Sequence, residues 1–350
     1  MSENYVINGR FLSKKITGVE RYAIEILNEL DKIVKPGQVV LVAPMDSKLP
    51  YYTNITVKKI GYFRDILWEQ ISFPIYAIRK QLIPLSFCNV APLLYPGVVF
   101  LHDVKVKAKP EYFSWKFRLW YKILLFNTAK RAKKIYTVSD FSKNEIVKYL
   151  HISPIHIAII PSAWSHFERI SEDYTALEKY NLTKAEYYFS MSSLEPNKNF
   201  KWTAEIARRY PNYLFVIAGS INKKVFSDGF EFECPSNMKF LGYVSDEEAK
   251  ALMHYCKAFV FPTIYEGFGL PPLEAIGSGC TSIVISDTDV MHEIYGECGT
   301  YIDPMKYEFD DRILKNINQN QRIELLNRYK WSNNAKRLVL LLNEENSNYK

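Results

Sequence analysis

The chain has no apolar run long enough to cross a bilayer, and its first residues, MSENYVINGR, hold neither a basic leader nor a long apolar stretch. A membrane span and a secretory signal are therefore not expected, and a cytoplasmic protein is. Cysteine is scarce: Cys88, Cys234, Cys256, Cys280 and Cys298 are odd in number, scattered, and never in a CxxC pair. That argues against a disulfide framework or a structural zinc site and leaves them as reduced core residues. No G-x-G-x-x-G follows the first strand-like run, so a dinucleotide oxidoreductase lacks its fingerprint. Internal repeats and low-complexity tracts are also missing.

What is present is globular composition on a two-domain scale: 350 residues, 48% hydrophobic and 24% charged. The net charge of +7 hides an asymmetry, since residues 1–165 hold 24 Lys and Arg against 12 acids, while residues 166–350 hold 21 against 26. A basic first half suits phosphorylated substrates, an anionic membrane surface or nucleic acid, or is a solvated face. Short Val/Ile/Phe/Tyr-rich runs such as YVINGR, QVVLVAP, GVVFLHDV, YYFSMSS, YLFVIAGS, KAFVFPT and TSIVIS alternate with helical patterns such as TGVERYAIEILNELDKIV. SKNEIVKYL and SDEEAKALMHYC each begin with S-x-x-E, the capping-box pattern. This alternation predicts an α/β protein with two doubly wound parallel sheets. The expected domains are residues 1–165 and 166–330, with the seam near IIPSAWSHFERI. A last amphipathic helix over 331–350 is expected to cross back to the first domain.

In open α/β sheets ligands lie at the carboxyl ends of strands, where loops lead into helix N-termini. In the first half, FLSKKITG follows a strand, bringing Lys14, Lys15 and Gly18, a glycine that serves either ligand approach or the turn alone. GVVFLHD ends in His102 and Asp103, where a histidine can donate a hydrogen bond to an anionic or sugar ligand or orient an acceptor hydroxyl. KKIYTVSDFSKNEI supplies Ser139 as a ligand contact and Ser142 as a helix cap. In the second half, YYFSMSSLEPNKNF delivers Lys198, a point charge suited to a diphosphate, with Glu195 and Pro196 shaping the turn. Gly219 and Ser220 mark a further strand-end turn.

The strongest stretch is FPTIYEGFGLPPLEAIGSGC, residues 261–280. It predicts a loop and then a short helix beginning near Pro271 and ending near Gly277. Pro271 and Pro272 suit a first helical turn but have no N–H. An anion cradle must then use Gly267, Phe268, Gly269 and Leu270. Glu266 precedes it and Glu274 follows it. Two carboxylates beside a phosphate would repel it, so they are expected to accept hydrogen bonds from hydroxyls on either side of the phosphate, a sugar and a ribose.

This E-x7-E stretch, EGFGLPPLEA, resembles the donor-site signature of retaining GT-B glycosyltransferases, the large family that includes bacterial polysaccharide mannosyl- and rhamnosyltransferases. The order INGRFLSKKITGVERYA, LHD, TVSDFSKNEI, SSLEPNKN, IAGS, FPTIYEGFGLPPLEA and WSNNAKRL extends that resemblance over nearly the whole chain. It implies two Rossmann-like domains facing across a cleft. By the same resemblance Glu274 would bind the nucleotide ribose and Glu266 the transferred sugar. The Gly267–Leu270 backbone and Lys198 would hold the diphosphate, Gly18 would approach the diphosphate from the first domain, and His102 would lie beside the transferred sugar. The sequence departs from the family in one place: where many relatives carry an arginine before the lysine, it reads Met191, Ser192 and Ser193. The implied reaction is transfer of a hexose or deoxyhexose from a GDP-, dTDP- or UDP-sugar with retention. No metal or other cofactor is implied, and SDTD at 286–289 reads as a turn rather than a donor motif.

Residues 111–134, EYFSWKFRLWYKILLFNTAKRAKK, join Trp115 and Trp120 to Lys116, Arg118, Lys122, Lys130, Arg131, Lys133 and Lys134. The segment reads either as an interfacial helix facing anionic lipid or as an ordinary packed helix with a basic end. Together with Lys14, Lys15 and Asp103 it forms the expected acceptor side. The expected acceptor is a lipid-diphosphate-linked saccharide at the inner face of the membrane. A non-catalytic sugar-nucleotide binder and a basic nucleic-acid-binding protein are the other readings. The second leaves the two glutamates unexplained and has no recognised motif, so nucleic acid is not an expected partner.

Overall fold

The computed structural model describes residues 5–193, 195–219 and 234–347, so Ser220 and the last residues of the expected C-terminal helix lie outside the described residues. The chain forms two compact units, Met1–Ser162 with Lys330–Lys350, and Ala163–Tyr329. The division falls three residues before the expected seam because Trp164 and His166 pack in the second unit. The Trp164 indole donates to the Leu326 carbonyl at 2.9 Å, and its ring fills the space a side chain at Gly277 would need.

The first unit holds a seven-stranded parallel sheet in the order β3-β2-β1-β4-β5-β6-β7. The strands are β1 (Tyr5–Asn8), β2 (Val39–Ala43), β3 (Thr56–Lys59), β4 (Ile83–Ser86), β5 (Val98–Phe100), β6 (Lys134–Thr137) and β7 (Ile157–Ile159). Ile7 of β1 lies between Leu41 and Leu85 of its neighbours. Strands buried on both faces need continuous apolar runs, which is why these segments do not alternate. The second unit holds a six-stranded parallel sheet in the order β10-β9-β8-β11-β12-β13. Its strands are β8 (Tyr187–Met191), β9 (Leu214–Ala218), β10 (Met238–Gly242), β11 (Ala258–Phe261), β12 (Ile283–Ser286) and β13 (Thr300–Ile302). Strand order reverses between β1 and β4 in the first sheet and between β8 and β11 in the second, and those two points open the crevices where such sheets take ligands.

The principal helices are α1 (Gly18–Leu30), α2 (Phe73–Arg79), α3 (Trp115–Arg131), α4 (Asp140–Leu150), α5 (Phe200–Arg209), α6 (Asp246–Tyr255), α7 (Leu270–Gly277) and α8 (Trp331–Ser347). With right-handed crossovers, α1 covers one face of the first sheet while α3 and α4 cover the other. On α8, Trp331, Ala335, Leu338 and Leu342 are buried at a 4-3-4 spacing that makes one apolar stripe. The stripe packs α8 onto the first unit: the Trp331 ring meets Tyr22 of α1 edge-on at 5.2 Å, and Asn334 donates to the Pro161 carbonyl at 2.7 Å.

Capping follows the sequence at α6, where Ser245 and Glu248 form the full box. It departs at α4. The cap there is Ser139, whose hydroxyl accepts from the Ser142 N–H at 3.0 Å, and Ser142 lies inside the helix with its hydroxyl donating to the His102 carbonyl at 2.8 Å. The cap expected at Ser142 is therefore made by the buried Ser139, and Ser142 instead ties α4 to the end of β5.

Candidate active site

The reversal point of the second sheet is built by two loops. After β8 the chain makes a tight turn over Pro196–Lys198, and Asn199 takes a left-handed conformation (φ 53°) before α5 begins. After β11 residues 262–269 lead into α7. Asn197, buried, staples these loops together: its side-chain amide donates to the Tyr265 carbonyl at 3.1 Å and to Glu266 Oε1 at 3.3 Å, and its main-chain carbonyl accepts from the Ile264 N–H at 2.8 Å. The staple brings Lys198 Nζ to 2.7 Å from Glu266 Oε1, with both side chains less than one-fifth exposed. The ammonium also stands 5.2 Å from the centre of the Phe261 ring, whose face favours a cation.

Gly269 is the N-cap of α7 at φ 81°. A Cβ there would lie 2.4 Å from Met291 Cε, and the Tyr295 hydroxyl donates to the Gly269 carbonyl. At 269 glycine is required by the left-handed cap and by Met291 behind it. Gly267, Phe268 and Gly269 are buried and Leu270 is half-buried. Pro271 occupies the first turn, as its missing N–H predicts. Glu274 sits one turn into α7, buried, with Oε1 3.2 Å from His166 Nε2. Burial pushes the Tyr295 phenol far up, helped by Tyr329 and by the nearby Glu274 and Glu266, so it stays a proton donor beside both acids. The two glutamates thus come to one edge of the second unit with Lys198. Asn197, His166 and Tyr295 join them there without having been marked by any sequence pattern.

In the first unit Gly18 opens α1 with nothing within 4 Å of where a Cβ would stand, and its φ lies outside the left-handed range. The turn therefore does not require a glycine, and the space beside it is open. Lys14 and Lys15 are exposed. Asp103 Oδ1 accepts from the Lys105 N–H at 2.8 Å. Trp115, Lys116 and Arg118 lie exposed on the first turn of α3.

Of the two uses expected of His102, donation to a ligand meets a competitor and orientation of a hydroxyl stays open. Its ring is 7% exposed, edge-on to Tyr22 at 4.7 Å, and Nε2 donates to the Phe87 carbonyl at 2.7 Å. The one N–H of the neutral ring is therefore spent on the main chain. Burial lowers its pKa, against the Phe87 bond and Asp103, which raise it. With its one N–H given to Phe87, the neutral ring has none left for a ligand, but Nδ1 can still accept from a hydroxyl. Because the unfolded chain binds this proton more tightly, the stability His102 contributes is present above the ordinary histidine range and falls as pH drops below about 6.5. Urea unfolding from pH 7.5 to 5 is expected to show that loss in the unchanged protein and a shallower slope in His102→Gln. Equal slopes would contradict the assignment.

Residues 16–163 match the family model for Glycosyltransferase Family 4, and residues 175–338 match that for glycosyl transferases group 1. The O-antigen chain mannosyltransferase RfbU of Salmonella typhimurium is 27% identical over 90% of this chain and 91% of its own. An Escherichia coli UDP-Gal:alpha-D-GlcNAc-diphosphoundecaprenol alpha-1,3-galactosyltransferase is 24% identical over 60% of each chain. The crystal structure of Anabaena HepE in complex with UDP and glucose superposes with a TM-score of 0.70 at 15% identity, over 97% of this chain and 99% of that one, a likeness of fold. With a glycosyltransferase model on each Rossmann-like unit and relatives that span both, the chain belongs to the GT-B glycosyltransferases.

Proposed function

We propose that this glycosyltransferase moves a hexose or deoxyhexose, with mannose or rhamnose as the candidates, from a nucleotide diphosphate sugar to a lipid-diphosphate-linked saccharide, with retention and without a metal, during assembly of a bacterial surface polysaccharide. The observation that carries the reading is the Lys198–Glu266 pair at the reversal point of the second sheet, one loop from the start of α7. In the donor complex the diphosphate competes for Lys198. Two phosphates offer more negative charge than one carboxylate, so Lys198 turns to them and Glu266 is released to accept from the hydroxyls of the transferred sugar. Glu274, fixed by α7 and by His166 beside it, accepts from the ribose hydroxyls.

The chemical demand is stabilisation of charge on the leaving diphosphate while the sugar becomes oxocarbenium-like. Lys198 and the N–H groups entering α7 supply it, and Met191, Ser192 and Ser193 add no second cation. The acceptor hydroxyl attacks from the leaving-group face and passes its proton to a phosphate oxygen, so neither glutamate acts as a nucleophile. The mannose candidate rests on RfbU, and the lipid-diphosphate acceptor on the galactosyltransferase relative.

The surface of α3 supports work at the inner face of the membrane. Only Leu124, Leu125 and Thr128 of this helix are buried. Trp115 (68% exposed), Phe117, Leu119, Ile123 and Phe126 face outward among Lys116, Arg118, Lys122, Lys130 and Arg131. Aromatic and aliphatic side chains mixed with cations suit an anionic lipid interface, where each cation adds about 1 kcal/mol of attraction. No helix among the described residues is long and apolar enough to cross a membrane.

Two experiments test the reading. Thermal stabilisation by a panel of GDP-, dTDP- and UDP-sugars is expected to single out one donor. Glu274→Ala should weaken that donor roughly 10- to 100-fold, the size of one or two lost hydrogen bonds to a charged group. No stabilisation by any of them would sink the transferase assignment. On vesicles containing phosphatidylglycerol the protein should float, and Trp115→Ala with Lys116→Ala and Arg118→Ala should lose much of that binding. Equal flotation of the triple variant would remove α3 from the interface.

A further inference from the structure

The reversal point of the first sheet, between β1 and β4, also holds a buried pair of opposite charges, and the reading above gives it no task. Arg10 follows β1, and its Nη1 pairs with Glu69 Oε2. Glu69 is 3% exposed. Asn8, the last residue of β1, donates from Nδ2 to Glu69 Oε1 at 2.7 Å and to Ser86 Oγ, the last residue of β4, at 3.3 Å. Its Oδ1 accepts from the Arg10 N–H at 3.2 Å. One polar network therefore spans the two strand ends at the point where open α/β sheets take ligands.

Three features separate this network from an ordinary structural clasp. Glu69 is delivered by a π-helical turn, Trp68–Ser72, a rare irregularity that is frequent at functional sites. The turn is itself anchored by its next residue: Gln70 donates to the Ala91 carbonyl at 3.2 Å and accepts from the Leu93 N–H at 2.9 Å. A buried ion pair is no better for stability than apolar side chains of the same volume, so packing alone does not call for one. Finally, Arg10 Nε is shielded from solvent and has no hydrogen-bond partner among the described residues, and a buried N–H of that kind calls for a ligand or a water.

We propose that the Arg10–Glu69 network is a binding point for hydroxyls of a neutral sugar, and that it reads the acceptor saccharide. The proposal rests on the transferase reading above. A hydroxyl both donates and accepts, and the network offers both: the Arg10 Nε–H to give, and Glu69 and Ser86 oxygens to receive. A phosphate only accepts. It would meet a guanidinium already neutralised by Glu69 and a carboxylate that repels it.

Two variants and two readouts test the proposal. Arg10→Lys keeps the charge and removes the planar Nε–H. Arg10→Met combined with Glu69→Gln removes both charges, fills the volume and leaves Asn8 an acceptor, so the fold is retained and is checked by its thermal midpoint. Each should raise the acceptor KM roughly 10-fold, the size of one hydrogen bond to a charged group, while the donor KM stays within about twofold. In saturation-transfer NMR, methyl hexopyranosides should receive signal from the unchanged protein and lose it in the double variant. Sodium diphosphate should not displace them. An unchanged acceptor KM and an unchanged glycoside signal in a folded variant would reduce the pair to a structural clasp, and displacement by diphosphate would overturn the hydroxyl assignment. Failure of the transferase reading would appear elsewhere, as an unchanged protein stabilised by no nucleotide sugar, and the glycoside measurement would still decide the site.

Discussion

The ion pair between Lys198 and Glu266 is the interaction around which the second unit's candidate site is arranged. Neither group is far from water, yet both are mostly covered, so each would lose solvation without the other. Asn197 makes the pairing affordable by bonding to Glu266 and to the main chain beside it, which fixes the distance between two loops 68 residues apart in sequence. Everything else at that edge follows. Phe261 lies under the ammonium, Gly269 must turn left-handed to start α7 against Met291, and the proline in the first turn restricts N–H donors to the residues just before it.

The same physical problem appears in the first sheet. Its reversal point also collects charge, and Arg10 and Glu69 again neutralise each other with an asparagine bridging them. In each unit by itself, a parallel sheet covered on both faces leaves its strand ends as the place where polar side chains can be held in fixed geometry without disturbing the core. The two pairs differ in what they leave over. Lys198 carries further N–H groups suited to anions. Arg10 is neutralised by its carboxylate through Nη1, and its shielded Nε–H, without a partner among the described residues, suits a single hydroxyl.

Local features were legible in the sequence, and contacts between distant residues were not. The apolar runs that became β1, β8, β11 and β12 announced a parallel sheet because such strands need no alternation. The Ser245–Glu248 box was readable because both partners lie within one turn. Ser142 and Glu145 show the same pattern, yet the cap is Ser139, since the Ser142 hydroxyl is claimed by the His102 carbonyl 40 residues away. His102 was correctly marked as a strand-end residue, but the carbonyl that takes its N–H belongs to Phe87, on a different segment. Glu266 and Glu274 stood out through the glycines and prolines between them. His166, Asn197, Arg10 and Glu69 carry no such local mark, and their partners are fixed only by the crossovers.

The central claim is that diphosphate and Glu266 compete for Lys198, and titration calorimetry with the preferred nucleoside diphosphate tests it on Lys198→Met and Glu266→Gln side by side. The account predicts that Lys198→Met binds the nucleotide at least 10-fold more weakly, having lost a charge-assisted contact. It predicts that Glu266→Gln binds at least as tightly as the unchanged protein, because the lysine no longer has to leave a carboxylate. If Glu266→Gln weakens binding as much as Lys198→Met does, the two residues act together on the nucleotide and the competition does not exist.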